Sequence, residues 1–221
     1  MRNEIATLHF LTQDLPGYSH EDQVKVACEA GVKWVQLRMK NKPEHEMLRI
    51  AQQVRTITRG FNAVLIINDH PLIAKEVEAD GVHLGQEDMN WQEARKILGS
   101  DFIIGLSVHS FHEIIDAKHA DVNYFGLGPY RFTQTKEKLD PVLGLKGIYE
   151  IISRAHAQGI AKPIIAIGGI QSEDVGELLK TGVSGIAISS AINQSPEPAK
   201  AIHAFLSQLS SLNIKHETFT I

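Results

Sequence analysis

The stretch Ala30–Val35, which reads Ala-Gly-Val-Lys-Trp-Val, has the pattern of a helix end, a turn and the start of a buried strand. Three later stretches follow the same order, at 79–82, 120–125 and 181–186. Glycine after a helix favours the left-handed backbone conformation in which many helices end. Strands that each follow a helix are expected to be parallel, with right-handed crossover connections.

The same alternation continues along the whole chain. Brief apolar runs rich in Val, Ile and Phe are typical of strands that are buried on both faces. They predict strands at Leu8–Thr12, Trp34–Leu37, Ala63–Ile67, Gly81–Leu84, Phe102–Leu106, Asn123–Gly126, Ile164–Ile167 and Gly185–Ile188. Helical periodicity predicts helices at Glu21–Ala30, Glu44–Thr58, Pro71–Val77, Trp91–Leu98, Phe111–Lys118, Gly147–Ala157, Glu173–Thr181 and Pro198–Leu209.

Eight such units in one chain predict an α/β fold, a single-domain (β/α)8 TIM barrel over residues 1–221 with a polar tail at 212–221. The alternative is an open, doubly wound sheet. No Gly-x-Gly-x-x-Gly follows the first predicted strand, which argues against the dinucleotide-binding form of that alternative. Ser172 is the predicted cap of the seventh helix, with Glu173 and Asp174 favourable at its positive end.

Composition excludes several classes of function. The 221 residues are 43% hydrophobic and 22% charged, with a net charge of −4 and no block of Lys or Arg. A general nucleic-acid or membrane-binding surface is therefore not expected. The one cysteine, Cys28, lies in an apolar helical stretch and is predicted to be a buried thiol. No export signal and no run of ~18 apolar residues is present, which predicts a cytoplasmic protein.

Unusual polar residues follow the second, third and fourth predicted strands, where a barrel of this kind has its chemistry. Gln36, Arg38 and Lys40 alternate and so share one face, although a solvated strand end would also have this pattern. Asp69 and Asp88 follow adjacent strands. Two carboxylates there suit Mg²⁺, which takes one or two carboxylates and completes its shell with water and substrate phosphates. Each acid taken singly also suits a helix N-cap.

A second group of phosphate donors follows the fifth and sixth strands. Ser107 places a hydroxyl at the end of the fifth strand. The longest loop, 128–136, carries Thr133, Thr135 and Lys136 and is long enough to close as a lid. Solvated surface residues are the alternative interpretation of the two threonines.

The seventh and eighth strands end in Gly168-Gly169 and Ser189-Ser190. Barrels of this fold often bind a phosphate in the loops after these two strands, on backbone N–H groups that glycine leaves accessible. A tight turn that binds no ligand is the alternative for the glycine pair. Two anion sites together indicate a reaction between two phosphorylated small molecules.

Other catalytic classes lack support in the sequence. The eleven histidines show no zinc-binding spacing, and His83 and His112 are predicted to be packing or surface residues. No Gly-x-Ser-x-Gly motif occurs, and Cys28 does not follow a strand as a nucleophile would. Covalent hydrolase chemistry is therefore disfavoured.

In order along the chain, these motifs resemble the thiamine-phosphate synthase family. The matching residues are Gln-Leu-Arg-x-Lys at 36–40, Asn-Asp at 68–69, Gly-Val-His-Leu-Gly-Gln-Glu-Asp at 81–88, Gly-x-Ser-x-His at 105–109, Gly-Leu-Gly-Pro…Thr-x-Thr-Lys at 126–136, Ile-Gly-Gly-Ile at 167–170 and Ser-Ser at 189–190. The resemblance implies a transferase that joins hydroxymethylpyrimidine diphosphate to thiazole phosphate, or to its carboxylate. The products would be thiamine monophosphate and pyrophosphate, formed by dissociative loss of pyrophosphate with the help of Mg²⁺.

The resemblance also implies a role for each matching position. The pyrimidine diphosphate would be held by Gln36, Leu37, Arg38, Met39, Lys40, Asn68, Ser107 and Lys136. The thiazole phosphate would be held by Thr133, Gln134, Thr135, Gly169, Ser189 and Ser190. Mg²⁺ would be held by Asp69 and Asp88. The catalytic residues would be Arg38, Lys40, Ser107 and Lys136.

Met39 departs from the family pattern, in which many members have glutamate, and strand alternation directs it away from the face of Gln36. Two alternative functions stay open. One is a thiazole tautomerase of the same superfamily, with His109 as its acid and base, and the other is a regulator that binds a phosphorylated metabolite without catalysis. The expected partners are two phosphorylated small molecules, with neither nucleic acid nor membrane, and the sequence leaves a homodimer open.

Overall fold

The structure is a computed structural model that describes residues 4–40, 42–132 and 141–211. Its strands are β1 (Leu8–Leu11), β2 (Trp34–Leu37), β3 (Val64–Asn68), β4 (Gly81–Leu84), β5 (Ile103–Val108), β6 (Tyr124–Leu127), β7 (Ile164–Ile167) and β8 (Gly185–Ile188). They form a closed barrel in chain order, and β1 pairs in parallel with both β2 and β8. The TIM-barrel prediction is therefore confirmed, and the open sheet is excluded.

Helices alternate with these strands. They are α1 (His20–Glu29), α2 (Glu44–Gly60), α3 (Pro71–Glu76), α4 (Trp91–Leu98), α5 (Phe111–Asp116), α6 (Gly144–Ala157), α7 (Val175–Lys180), α8 (Ser190–Asn193) and α9 (Pro198–Ser211). A 3-10 turn at Ser172–Asp174 precedes α7. Within the described ranges, every helix is too short or too polar to cross a membrane.

Two local predictions differ from the structure. The four-residue helix α8 was not predicted, because one turn directly after a strand leaves no periodic pattern. The prediction of Ser172 as a cap is wrong, since Gln171 occupies the cap position and its backbone N–H donates to Asp174 Oδ2 at 2.8 Å.

The core has two apolar layers. One lies between the strands and the surrounding helices and includes Cys28, whose burial raises the thiol pKa to about 11, as expected for an unreactive buried thiol. The other fills the barrel interior with side chains such as Trp34, Ile66 and Tyr124. Because alternate positions of a strand share a face, the next interior positions after Trp34 and Ile66 are Gln36 and Asn68. The barrel interior therefore becomes polar toward the carboxyl ends of the strands.

Candidate active site

Two buried amides join β2 and β3 at the base of the candidate site. Gln36 and Asn68 are 4% and 7% exposed, and Gln36 Nε2 donates to Asn68 Oδ1 at 2.7 Å. This bond holds the two amide groups in a fixed arrangement relative to each other. The remaining donor and acceptor atoms of the pair are then available to a ligand above them.

A cluster of one lysine and two carboxylates lies beside the amide pair. Lys40 Nζ is 2.9 Å from Asp69 Oδ2, and the Asp69 carboxyl lies close enough to the carboxyl of Asp88 to raise its pKa. Asp88 Oδ2 also accepts the backbone N–H of Gly85 at 2.6 Å. Burial raises the pKa of Asp88, and the adjacent Asp69 carboxyl raises it further. The predicted convergence of these two acids is therefore what the structure contains.

The alternative role of the two acids as helix caps does not apply. His70 is at the cap position of α3, and Asn90 caps α4 by accepting the Gln92 N–H. Two crowded carboxylates are suited to a divalent cation, which would relieve their mutual repulsion. No cluster of three or more His, Cys, Asp or Glu occurs in the described part of the chain. Such an ion would therefore take its other ligands from water and substrate, as Mg²⁺ commonly does.

The other residues of the second strand motif divide between two faces. The Arg38 backbone N–H donates to Thr12 Oγ1 at 3.0 Å, which joins the ends of β1 and β2. Leu37 and Met39 are buried in the outer apolar layer. Their side chains therefore face the helices, as alternation predicts for Met39. Only the backbone atoms of these two residues are at the rim.

Ser107 is connected to the barrel interior through two buried rings. His83 Nε2 lies 2.9 Å from Ser107 Oγ, and His83 Nδ1 lies 3.0 Å from the Tyr124 hydroxyl. Burial lowers the pKa of His83 to about 4, so its ring is neutral at physiological pH. The prediction of a packing residue holds for the burial of His83 but missed its contact with Ser107. The alternation of β4, which places Gly81 and His83 on one face, was the available signal.

The turn after β7 packs tightly against the segment after β6. A Cβ atom on Gly168 would lie 2.8 Å from Pro129 Cα, and one on Gly169 would lie 2.9 Å from Arg131 Cβ. Both glycines have positive φ angles, of 103° and 66°. Arg131 also forms a bidentate ion pair with Asp174, which is 7% exposed. The positive φ angles and the close contact with the segment after β6 thus explain why both positions are glycine.

The remaining predicted residues are distributed as follows. Ser189 precedes α8 and Ser190 is its first residue, so both lie at the carboxyl end of β8. Asn193 Nδ2 lies 3.4 Å from Ser189 Oγ. Thr133, Gln134, Thr135 and Lys136 lie outside the described residues.

His109, the base of the alternative tautomerase, lies near a carboxylate. Its Nδ1 is 3.2 Å from Glu113 Oε2, and its backbone N–H donates to the same oxygen at 2.8 Å. Glu113 is in the first turn of α5 and also accepts a hydrogen bond from Ser110 Oγ. These hydrogen bonds give His109 a structural role at the start of α5.

Comparisons with known proteins agree with this geometry. A sequence model of the thiamine monophosphate synthase family matches residues 8–192. A thiamine-phosphate synthase of Bacteroides fragilis is 43% identical over 194 residues, which are 88% of this chain and 95% of the relative. One from Clostridium novyi is 43% identical over 178 residues, covering 80% of this chain and 85% of the relative.

A solved structure extends the agreement to three dimensions. Thiamine phosphate pyrophosphorylase from Pyrococcus furiosus superposes with a TM-score of 0.83 at 33% identity, over 94% of this chain and 96% of that one. A structure described as native KDPGal superposes with a TM-score of 0.69 at 14% identity, which shows a shared fold alone. From the family match, the relatives and the barrel with its polar rim, we conclude that the chain belongs to the thiamine monophosphate synthase family.

Proposed function

We propose that the polar rim at the carboxyl ends of the strands joins hydroxymethylpyrimidine diphosphate to thiazole phosphate, or its carboxylate, in the cytoplasm. Family membership makes the chain a thiamine-phosphate synthase, a transferase that forms thiamine monophosphate. The observation that carries the assignment to this rim is the cluster of Lys40, Asp69 and Asp88 beside the Gln36–Asn68 amide pair. It combines a cation, a pair of oxygen ligands and directional amides within one small area.

The pyrimidine diphosphate would bind across β2, β3 and β5. Arg38 and Lys40 supply positive charge at the end of β2, and Lys136 would add a third cation from the loop after β6. The amide pair suits the pyrimidine ring, because amides present donors and acceptors in a fixed direction. Ser107 would donate to the diphosphate. In this arrangement Leu37 and Met39 take part through their backbone.

Asp69 and Asp88 would hold Mg²⁺. When bound, the ion supplies positive charge that neutralises the diphosphate oxygens. The raised pKa of Asp88 fits this assignment, since it reflects burial and the adjacent Asp69 carboxyl, a crowding of acids that a divalent cation relieves. In the absence of the ion, Lys40 offsets part of the same negative charge at 2.9 Å from Asp69.

The thiazole phosphate would bind at the opposite part of the rim. Gly169, Ser189 and Ser190 would provide backbone N–H groups and hydroxyls, and Thr133, Gln134 and Thr135 would complete the site. The Arg131–Asp174 ion pair supports this assignment, because it holds the segment after β6 against the loop after β7. Arg131 and the loop after β7 would then lie together beside one phosphate site.

The proposed chemistry requires neither a protein nucleophile nor a protein base. The bond between the methylene carbon and the diphosphate oxygen breaks, and its electron pair leaves with pyrophosphate. The ring amino group of the pyrimidine stabilises the resulting cation, and the lone pair of the thiazole nitrogen forms the new C–N bond. When the thiazole substrate is the carboxylate, its carboxyl group is lost as CO₂, and the electron pair of the broken C–C bond stays on the thiazolium ring. The tasks of the chain are to bind the leaving group, exclude water and align the nitrogen with the carbon.

A substitution at the acid pair tests this proposal. Asp88→Asn preserves the shape of the side chain but removes a charge, so we expect turnover to fall by roughly 100-fold and the Mg²⁺ requirement to rise. Production of thiamine monophosphate from both substrates is measured as a function of Mg²⁺ concentration. Glu93→Gln, which removes an exposed carboxylate from the first turn of α4, is the matched control and should behave as the unmodified chain. Equal activity of Asp88→Asn and the control would contradict the assignment.

A further inference from the structure

A buried hydrogen-bonded chain links the barrel interior to Ser107. Tyr124 on β6 is 1% exposed, and His83 on β4 is 8% exposed. The Tyr124 hydroxyl, the His83 ring and the Ser107 hydroxyl are connected in series by distances of 3.0 and 2.9 Å. The outer end of this series, Ser107, is only partly buried and faces the rim.

The hydrogen atoms of this series can be assigned by accounting for each donor. Tyr124 keeps its hydroxyl hydrogen, because burial raises its pKa. Among the described residues, the recorded hydrogen-bond partner of that hydroxyl is His83 Nδ1. If Nδ1 carried a hydrogen, the Tyr124 hydrogen would be buried without an acceptor, which is unfavourable. Tyr124 therefore donates to Nδ1, and the neutral ring carries its hydrogen on Nε2.

The assignment of His83 determines the role of Ser107. With its hydrogen on Nε2, His83 donates to Ser107 Oγ over 2.9 Å. The Ser107 oxygen then acts as an acceptor toward the interior, and its own hydrogen is directed elsewhere. The open side of Ser107 is the rim, so this hydrogen is available to an acceptor that binds there.

Two glycines make room for the rings. A Cβ atom on Gly105 would lie 2.2 Å from Tyr124 Cζ and 2.5 Å from His83 Nδ1. A Cβ atom on Gly126 would lie 3.0 Å from His83 Cε1. The glycines of β5 and β6 thus leave the space that the rings of His83 and Tyr124 fill. Because the rings fill this space closely, they are held in one arrangement.

We propose that Tyr124 and His83 are positioning residues that fix Ser107 as a hydrogen-bond donor toward the departing diphosphate. This inference rests on the proposed function, which places Ser107 at that group. A serine hydroxyl that is free to rotate can present either its hydrogen or an oxygen lone pair to a ligand. A lone pair repels an anion. The two buried rings remove that freedom before the substrate binds, which is preorganisation of an electrostatic contact.

The first experiment reads the tautomer of His83 in the unmodified chain. Nitrogen NMR of the chain labelled in its histidine rings distinguishes a protonated from an unprotonated ring nitrogen, and the loss of signals in His83→Gln assigns them. We expect the hydrogen on Nε2 and none on Nδ1 at neutral pH. A hydrogen on Nδ1 would overturn the proposal, and the measurement does not depend on whether Tyr124→Phe folds.

The second experiment is a double-mutant cycle between Tyr124 and Ser107. We expect Ser107→Ala to lower kcat/KM by about 10- to 100-fold, as for a hydrogen bond to a charged group. Tyr124→Phe alone should lower it by about 3- to 10-fold, because the ring of His83 can then change tautomer. In the Ser107→Ala background, Tyr124→Phe should have no further effect. An equal loss in both backgrounds would mean that Tyr124 acts through packing, and would overturn the proposal.

The two experiments separate this inference from the proposed function. Formation of thiamine monophosphate by the unmodified chain tests the function, and the tautomer tests the hydrogen-bonded series. An inactive chain with the hydrogen on Nε2 would contradict the function, while an active chain with the hydrogen on Nδ1 would contradict only the inference.

Discussion

Acid is expected to destabilise the barrel through two buried histidines. His9 on β1 stacks on Trp34 with ring centroids 4.4 Å apart, and His83 lies in the same barrel interior beside Tyr124. Burial lowers the pKa of His9 to about 3, with a smaller effect from His83, and burial lowers that of His83 to about 4. The perturbation we consider is a change from pH 7 to about pH 4.5.

The magnitude follows from proton binding by the folded and unfolded chains. An exposed histidine has a pKa of about 6.5, so the unfolded chain binds two protons that the folded chain does not bind at about pH 4.5. Stability therefore falls as the pH falls below about 6.5, and it is fully retained above that value. At about 1.4 kcal/mol per pH unit, each histidine costs about 2 to 3 kcal/mol, and both cost roughly 5 kcal/mol. That is a large part of the ~5 to 15 kcal/mol by which domains are stable.

Urea unfolding followed by circular dichroism at both pH values measures this loss. His9→Phe keeps an aromatic ring against Trp34 but removes one of the two titrating groups. Between the two pH values, we expect the unmodified chain to lose about 2 to 3 kcal/mol more of its free energy of unfolding than His9→Phe loses. His203→Gln, on the exposed face of α9, is the control and should show the full loss. Comparing variants isolates the histidine contribution from that of carboxylates common to all of them.

The reasoning is refuted if His9→Phe and the unmodified chain lose equal stability between the two pH values. That result would mean that His9 binds its proton in the folded barrel as readily as in the unfolded chain. It would contradict the dry, enclosed interior on which the tautomer of His83 also depends.

Three further substitutions probe the site and its support. Gly105→Ala should destabilise the fold by about 3 kcal/mol in urea unfolding, because its methyl group would lie 2.2 Å from Tyr124 Cζ, whereas Gly60→Ala, with open space around it, should not destabilise. Asp174→Asn should cost about 1 to 3 kcal/mol of stability and raise KM for the thiazole phosphate, since Arg131 loses its bidentate partner; an unchanged KM would contradict the role of that ion pair. Lys136→Ala should slow pyrophosphate release in single-turnover experiments more than it weakens thiazole phosphate binding, and the opposite pattern would contradict its assignment to the diphosphate.

The order and extent of the strands were readable from the sequence. The predicted bounds of β2, β4, β7 and β8 coincide with those observed. A parallel strand with helices outside and a packed interior is buried on both faces, so it is a short, continuous apolar run that stands out from its surroundings. Helix ends were predicted less well, because the last residues of a helix face solvent and carry a weaker pattern.

The convergence of Asp69 and Asp88 was also predictable. Neighbouring parallel strands end at the same edge, so residues that follow them are brought together whatever the connecting helix does. The effect of the Asp69 carboxyl on the pKa of Asp88 agrees with that expectation. Their assignment to Mg²⁺ stays a prediction for the experiment with Asp88→Asn.

Contacts between side chains that do not follow adjacent strand ends were not readable. Asp174 takes part in the helix start, as expected, by accepting the Gln171 N–H, but it is also buried against Arg131, which is 43 residues away in the chain. His83 meets Tyr124 across 41 residues. Residue type and spacing carry no record of such pairs, since each partner alone is compatible with a packing or surface position.

The amino-acid order by itself thus determined the barrel, the positions of its buried strands and the rim at which polar side chains collect, because burial and alternation are local properties of the chain. Apart from the convergence of Asp69 and Asp88, only the closed barrel decided which of those side chains meet. It also decided which ring nitrogen of His83 faces Ser107, and why positions 105 and 168 require glycine. Those features depend on the space left between strands that are far apart in the chain, and that space exists only after the barrel closes.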